Sequence, residues 1–271
     1  MSVRKGAPAL LSAGTLCAAL LLTGCASTAP TPAPAGPATT APSAAGDSRP
    51  DGAPARAADK AGGPTSALSS APVPAVRIPG VGPATGRLVP DGTTQALVVT
   101  GTTADDNTST ATLYERDTRG RWAETAGPWP ARNALRGWTA DHHAGDLRTP
   151  IGVFRIGDAG GRLPDPGARI PYDQDAEFAI SGTGFSGEPL EGSFDHVIAI
   201  DYNRVPGRTP LDKERPLGAG KGGGVWIHVD HGGPTQACVA LDREALRTLL
   251  RALDPAREPV VVMGPAPVLA R

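Results

Sequence analysis

From Ile78 to the C-terminus, glycine and proline interrupt the chain so often that only one stretch can sustain a helix of useful length. The runs between them read as strands. Gln95–Gly101 (QALVVTG), Thr110–Asp117 (TATLYERD), Gly152–Ile156, His196–Tyr202, Val225–Asp230 and Pro259–Met263 are short, β-branched or apolar, and bounded by Gly, Pro or polar residues. Arg243–Leu253 is the exception. There Leu246, Leu249, Leu250 and Leu253 recur on one helical face, Asp242 stands where an N-cap belongs, and Pro255 ends the run. Leu163–Gly192, rich in Gly and Pro, is expected to be mainly loop. The pattern predicts a mainly β fold with one clear helix in its C-terminal region, a single β-rich domain over residues 80–271 large enough for its own core.

The N-terminal third has a different character. Arg4 and Lys5 precede an apolar run from Ala7 to Leu22, too short for a membrane span, and small residues follow, as a cleaved signal requires. The tetrad Leu22-Thr23-Gly24-Cys25 resembles the bacterial lipobox, which implies a signal peptide over residues 1–24 and lipid attachment at Cys25. Residues 25–79 are dominated by Ala, Pro, Thr, Ser and Gly, with too little large apolar surface to offset the entropy of ordering. They are expected to be a disordered tether, about 40 Å across as a flexible coil. The expected location is extracytoplasmic, anchored to the outer face of the cell membrane or released to the wall.

The net charge of −1 and the absence of long charged blocks give no support for nucleic-acid binding. Of three cysteines, Cys17 would leave with the signal and Cys25 would carry lipid, so Cys238 stands alone in an oxidising compartment. A lone thiol there is either reactive or inert and buried.

Its surroundings favour chemistry. The stretch GVWIHVDHGGPTQACVALDREALRTLLRALD, Gly224–Asp254, reads as a strand ending in His228, a Gly-Gly-Pro turn, Cys238 and then the helix. An unperturbed thiol, with a pKa of about 8.5, needs a base to attack at neutral pH. An imidazole brought back by the turn can take its proton and return it to a leaving amine. The turn would also present the amides of Gln236, Ala237 and Cys238 to an oxyanion. Asp230, on the His228 face by strand alternation, or His231 could orient the imidazole, and Thr235 could support the nucleophile or simply the turn. A catalytic thiol here is expected to react readily near neutral pH.

These residues resemble the active-site signature of the L,D-transpeptidases, the YkuD-type catalytic domain. Thr235-Gln236-Ala237-Cys238 is similar to its Ser/Thr-x-x-Cys portion, and His228 takes the place of its strand histidine. Gly145–Phe154 (GDLRTPIGVF), Ile200–Asn203 (IDYN) and Trp122–Ala131 (WAETAGPWPA) resemble further segments of that family. The likeness departs at Gln236-Ala237, where His-Gly is common, at Val229, and in a shorter loop. It implies a cysteine nucleophile, Cys238, acting on peptidoglycan stem peptides with His228 as base, with no cofactor and no metal, in a monomer. The acceptor could be a diaminopimelate amine or water, and a wall-binding lipoprotein with a decayed site stays open as an alternative.

Other side chains are expected to be structural. The five histidines, His142, His143, His196, His228 and His231, contain no His-Glu-x-x-His spacing for zinc. Asp146 and Thr149 are expected to fix a turn before Pro150. Arg148 and Arg204 are expected to be solvated, His196 to lie at the surface, and Trp138 and Tyr202 to fill the core.

Overall fold

The computed structural model describes residues 76–271. The signal, Cys17, the lipobox with Cys25 and nearly all of the tether lie outside the described residues. Three strands open the fold, β1 (Gln95–Gly101), β2 (Thr108–Arg116) and β3 (Trp122–Arg132). Short strands follow: β4 (Trp138–Thr139), β5 (Thr149–Pro150), β6 (Gly152–Arg155), β7 (Asp158–Gly161), β8 (Tyr172–Gln174) and β9 (Val197–Ala199). The last three are β10 (Trp226–Val229), β11 (Val239–Leu241) and β12 (Val260–Pro265). Helices α1 (Pro83–Gly86) and α3 (Ala266–Leu269) are single turns, and α2 (Arg243–Ala252) is the long one.

Ten strands form one sheet in the order β6-β12-β1-β2-β3-β11-β10-β9-β7-β8, while β4 and β5 pair separately. The continuous apolar runs lie in strands buried on both faces. In β1, Leu97 and Val99 enter the main core while Ala96 and Val98 enter a second cluster behind the sheet. β12, parallel to β1, divides the same way, with Val261 and Met263 in front and Val260 and Val262 behind. The rear cluster is covered by Ile78, Val81 and Leu269. The chain ends of this region are tied together there by Gly82 N–H to the Leu269 carbonyl at 2.8 Å and Ala84 N–H to the Arg271 carbonyl at 2.7 Å.

Helix α2 seals the front core. Asp242 caps it by accepting from the Glu244 N–H at 2.9 Å, and Leu246, Leu249, Leu250 and Leu253 are fully buried. They pack in the same cluster as Ile198 of β9, Ile227 of β10 and Val239 and Leu241 of β11, so the helix backs the strand that carries His228 and the strand that follows Cys238.

The sequence reading differs from the structure in particular places. The helix does not follow Cys238 directly, because Val239–Leu241 first forms β11, paired with β10 on one side and β3 on the other. β7 (DAGG) carries no β-branched residue, and its glycines serve close packing: a Cβ on Gly161 would overlap the Asp195 carbonyl. The 163–192 stretch is mainly loop, interrupted by β8 and pinned by buried Ile170 and Phe178.

Leu249→Ala is expected to destabilise the domain by about 2–5 kcal/mol through lost burial and a residual cavity. Urea unfolding followed by tryptophan fluorescence checks this, and a midpoint unchanged from the parent would contradict the packing role given to α2.

Candidate active site

The parallel pairing of β10 with β11 builds the site. Ile227 lies opposite Val239 and His228 opposite Ala240. Extending that register by one residue places Cys238 beside Trp226. Side chains alternate between faces, so Trp226, His228 and Cys238 share one. Residues 230–238 carry the chain back from the end of β10 to the start of β11. Gly232, at φ 92°, supplies a left-handed turn there that a side chain would strain.

The Cys238 backbone is held firmly. Its carbonyl accepts the Thr235 hydroxyl at 2.7 Å and, more loosely, the Thr149 hydroxyl at 3.4 Å. Thr149 also accepts the Ala134 N–H at 2.9 Å. The upstream GDLRTP segment therefore reaches the Cys238 loop directly, beyond the turn-fixing expected of it. Asp146 does fix that turn, accepting from the amides of His143 and Arg148. The amides of Gln236, Ala237 and Cys238 have no hydrogen-bond acceptor among the described residues.

The thiol is half-buried, accepts the Trp226 N–H at 3.4 Å, and lies 3.7 Å from the Gly224 carbonyl as donor. No described hydrogen bond joins it to the imidazole. Burial pushes the Cys238 thiol up to about 11, against a smaller pull from the Trp226 amide. Its resting form is the neutral thiol, because desolvation penalises the thiolate.

His228 is buried and held on three sides. Its Nδ1 lies 2.9 Å from the Val229 carbonyl, which assigns the proton to Nδ1 and the free lone pair to Nε2. Phe194 meets the ring edge-on at 5.5 Å between centroids, and His231 stacks on it at 5.6 Å with the planes 10° apart. Burial pulls the imidazole down to about 4, although the Val229 carbonyl favours its protonated form. The ring is therefore neutral at ordinary pH and able to accept a proton.

Asp230 does not orient this ring. Its carboxylate accepts from Arg132 Nε at 3.2 Å and from the Gly232 N–H at 2.8 Å, so it is taken up by a neighbouring strand and its own turn. The Val229 carbonyl fills the orienting place. Arg204 is not solvated either: it is buried against Asp158 and Asp201 in a structural ion cluster. His196 is buried and meets the Tyr172 hydroxyl at 2.8 Å. Arg148 turns away to Asp105 and the Trp138 carbonyl. Trp138 is in the core, and Tyr202 packs partly against it.

Cys238, His228, His231, Thr235, Gln236 and Ala237 all line a cavity of about 480 Å³. The glycine run before β10, which the sequence did not single out, also lines it. Gly222, Gly223 and Gly224 all have positive φ, and a Cβ on Gly222 would reach within 2.8 Å of His142 Nε2. Asn203, in the IDYN segment, holds this run by donating to the carbonyls of Gly218 at 3.0 Å and Gly222 at 2.6 Å. A third wall is the segment 180–192, which contributes Ile180, Phe185 and Leu190. The triple glycine immediately before a strand was the one available signal. Among the described residues, no group of three or more His, Cys, Asp or Glu side chains is placed to hold a metal ion.

Residues 89–262 of the 271 match the family model for the L,D-transpeptidase catalytic domain, YkuD. The chain belongs to that family. Among curated proteins no match is found. Membership brings a catalytic domain of the cysteine-dependent L,D-transpeptidase kind, with peptidoglycan stem peptides as its class of substrate. In this L,D-transpeptidase domain, the segments around Thr149 and Asn203 brace the loop of Cys238 and the glycine run that lines the same cavity.

Because the resting thiol is neutral, its alkylation by iodoacetamide is expected to climb about tenfold per pH unit through the neutral range. It should level only near pH 11. The urea-unfolded chain should instead show a midpoint of about 8.5. A plateau near pH 7 in the folded protein would refute the neutral pair.

Proposed function

We propose that this chain is a peptidoglycan L,D-transpeptidase in which Cys238 is the nucleophile and His228 the general base. The observation that carries the reading is the placement of Cys238 and a neutral His228 on one face of β10 and β11, lining one cavity, within a chain of that family. Neutral resting groups suit a step in which proton transfer accompanies attack. The Cys238 sulfur bonds to the carbonyl carbon between diaminopimelate and the terminal D-alanine of a stem tetrapeptide, while the thiol proton passes to His228 Nε2. The free amides of Gln236, Ala237 and Cys238 receive the developing oxyanion. Collapse breaks the carbon–nitrogen bond, His228 returns the proton to the departing D-alanine amine, and a thioester remains. The side-chain amine of a second diaminopimelate then displaces the thiolate, His228 again carrying the proton. Water in place of that amine gives an L,D-carboxypeptidase.

Incubation with a stem tetrapeptide followed by mass spectrometry tests this. Loss of D-alanine, a thioester adduct on Cys238 and cross-linked stems are expected, with none of these in Cys238→Ala. Trimming without cross-links would assign the hydrolase, and intact tetrapeptide would leave a wall-binding role. His228→Ala is expected to lower turnover by about 10²–10⁴.

The same reading places the domain outside the cytoplasmic membrane, tethered through lipid on Cys25. Cys25→Ala is expected to move the protein from the membrane fraction to the medium. Unaltered membrane retention in that variant would remove the lipid anchor from the proposal.

A further inference from the structure

One pair of polar side chains, His231 of the cavity lining and Glu188 behind it, has no part in the steps above. His231 is nearly buried, and its Nδ1 lies 3.0 Å from Oε1 of Glu188, itself largely enclosed. The two come from different parts of the chain. His231 follows β10 on the loop that leads to Cys238, and Glu188 lies on the 180–192 segment. That segment is a small folded unit: Leu190 N–H bonds to the Gly182 carbonyl at 3.0 Å, Gly184 N–H to the Glu188 carbonyl at 2.8 Å, and Thr183 bridges to Pro189. At its far end, the Val229 N–H bonds to the Ser193 carbonyl at 3.0 Å. Nearer the tip, the Glu188–His231 contact is the polar link to the nucleophile loop.

Room for this link is built in. A Cβ placed on Gly184 or on Gly233 would overlap the Glu188 carboxylate. Neither glycine has a positive φ, so backbone conformation does not call for glycine at either site. What both absences of a side chain accommodate is the carboxylate. On its other side, the His231 ring runs parallel to that of His228, with 5.6 Å between centroids. Glu188 is held ionised by the backbone amides around it, Ser186 among them, and by His231.

We propose that Glu188 and His231 are positioning residues for acyl transfer: their hydrogen bond fixes the 180–192 segment as a wall of the Cys238 cavity and holds the ring that stacks on His228. The inference rests on the assignment of Cys238 and His228 above. Glu188→Ala frees the wall and one face of the base together. Glu188→Gln keeps the acceptor oxygen and the shape. Gly233→Ala displaces the carboxylate while leaving Glu188 and His231 unaltered.

Two measurements on the full chain decide it. The first compares labelling of Cys238 by N-ethylmaleimide with labelling by the much bulkier fluorescein maleimide. Glu188→Ala and Gly233→Ala are expected to raise the bulky-to-small ratio severalfold, and Glu188→Gln to leave it at the parent value. The second is turnover of stem tetrapeptide, in which Glu188→Ala is expected to lower kcat about tenfold, with the Gln variant near the parent. An unchanged labelling ratio in both Glu188→Ala and Gly233→Ala overturns the proposal, as does a loss confined to KM, or Gln behaving as Ala. A parent protein inert toward stem peptides would remove the transpeptidase assignment, while the labelling ratio would still decide the pair.

Discussion

The register of one parallel strand pair governs the site. Parallel neighbours ordinarily need a long crossover, yet β10 and β11 are joined by residues 230–238 alone. The loop must double back along the strand it has just left, and this puts Cys238 next to Trp226, two places before His228 on the same face. A shift of one residue would turn the thiol to the opposite face. The register is therefore held from several directions. β11 is also paired with β3, α2 packs behind it, and hydroxyls of two threonines converge on the Cys238 carbonyl.

Burial then sets the chemistry. A thiol and an imidazole close to water could exchange a proton and rest as an ion pair. Here desolvation acts on both in the direction of neutrality, raising the thiol and lowering the imidazole. The Val229 carbonyl and the two aromatic neighbours fix the imidazole's orientation without supplying a negative charge to it. The one carboxylate that sequence spacing offered for that purpose, Asp230, is occupied by Arg132.

How much of this was legible in the sequence depended on whether the signal was local. β1 and β12 were readable because strands buried on both faces are apolar without interruption. Helix α2 was readable from its leucine face and its Asp242 cap. Strand β11 is only Val-Ala-Leu, too short for any period to register, and β7 is made of residues that usually mark turns. At the site, the spacing of His228, Thr235 and Cys238 was visible, and the structure brings all three to one cavity. The direction of the thiol was not, since it follows from a register set by non-local pairing. Arg204 and His196 were misplaced for the same reason: their burial depends on Asp158 and Tyr172, distant in the chain. Nothing near residue 188 announces that its carboxylate will meet His231.

The elevated thiol has a consequence for chemical endurance. Peroxides and adventitious metal ions attack or capture thiolate, and oxidation beyond the sulfenic stage is not generally reversed. Cys238 is the free cysteine of the described domain, with no second thiol there to rescue it through a disulfide. Holding it protonated against the Gly224 carbonyl keeps the anion scarce between encounters with substrate. A low-pKa cysteine would spend much of its life as the form most easily destroyed. This arrangement trades standing reactivity for shelf life.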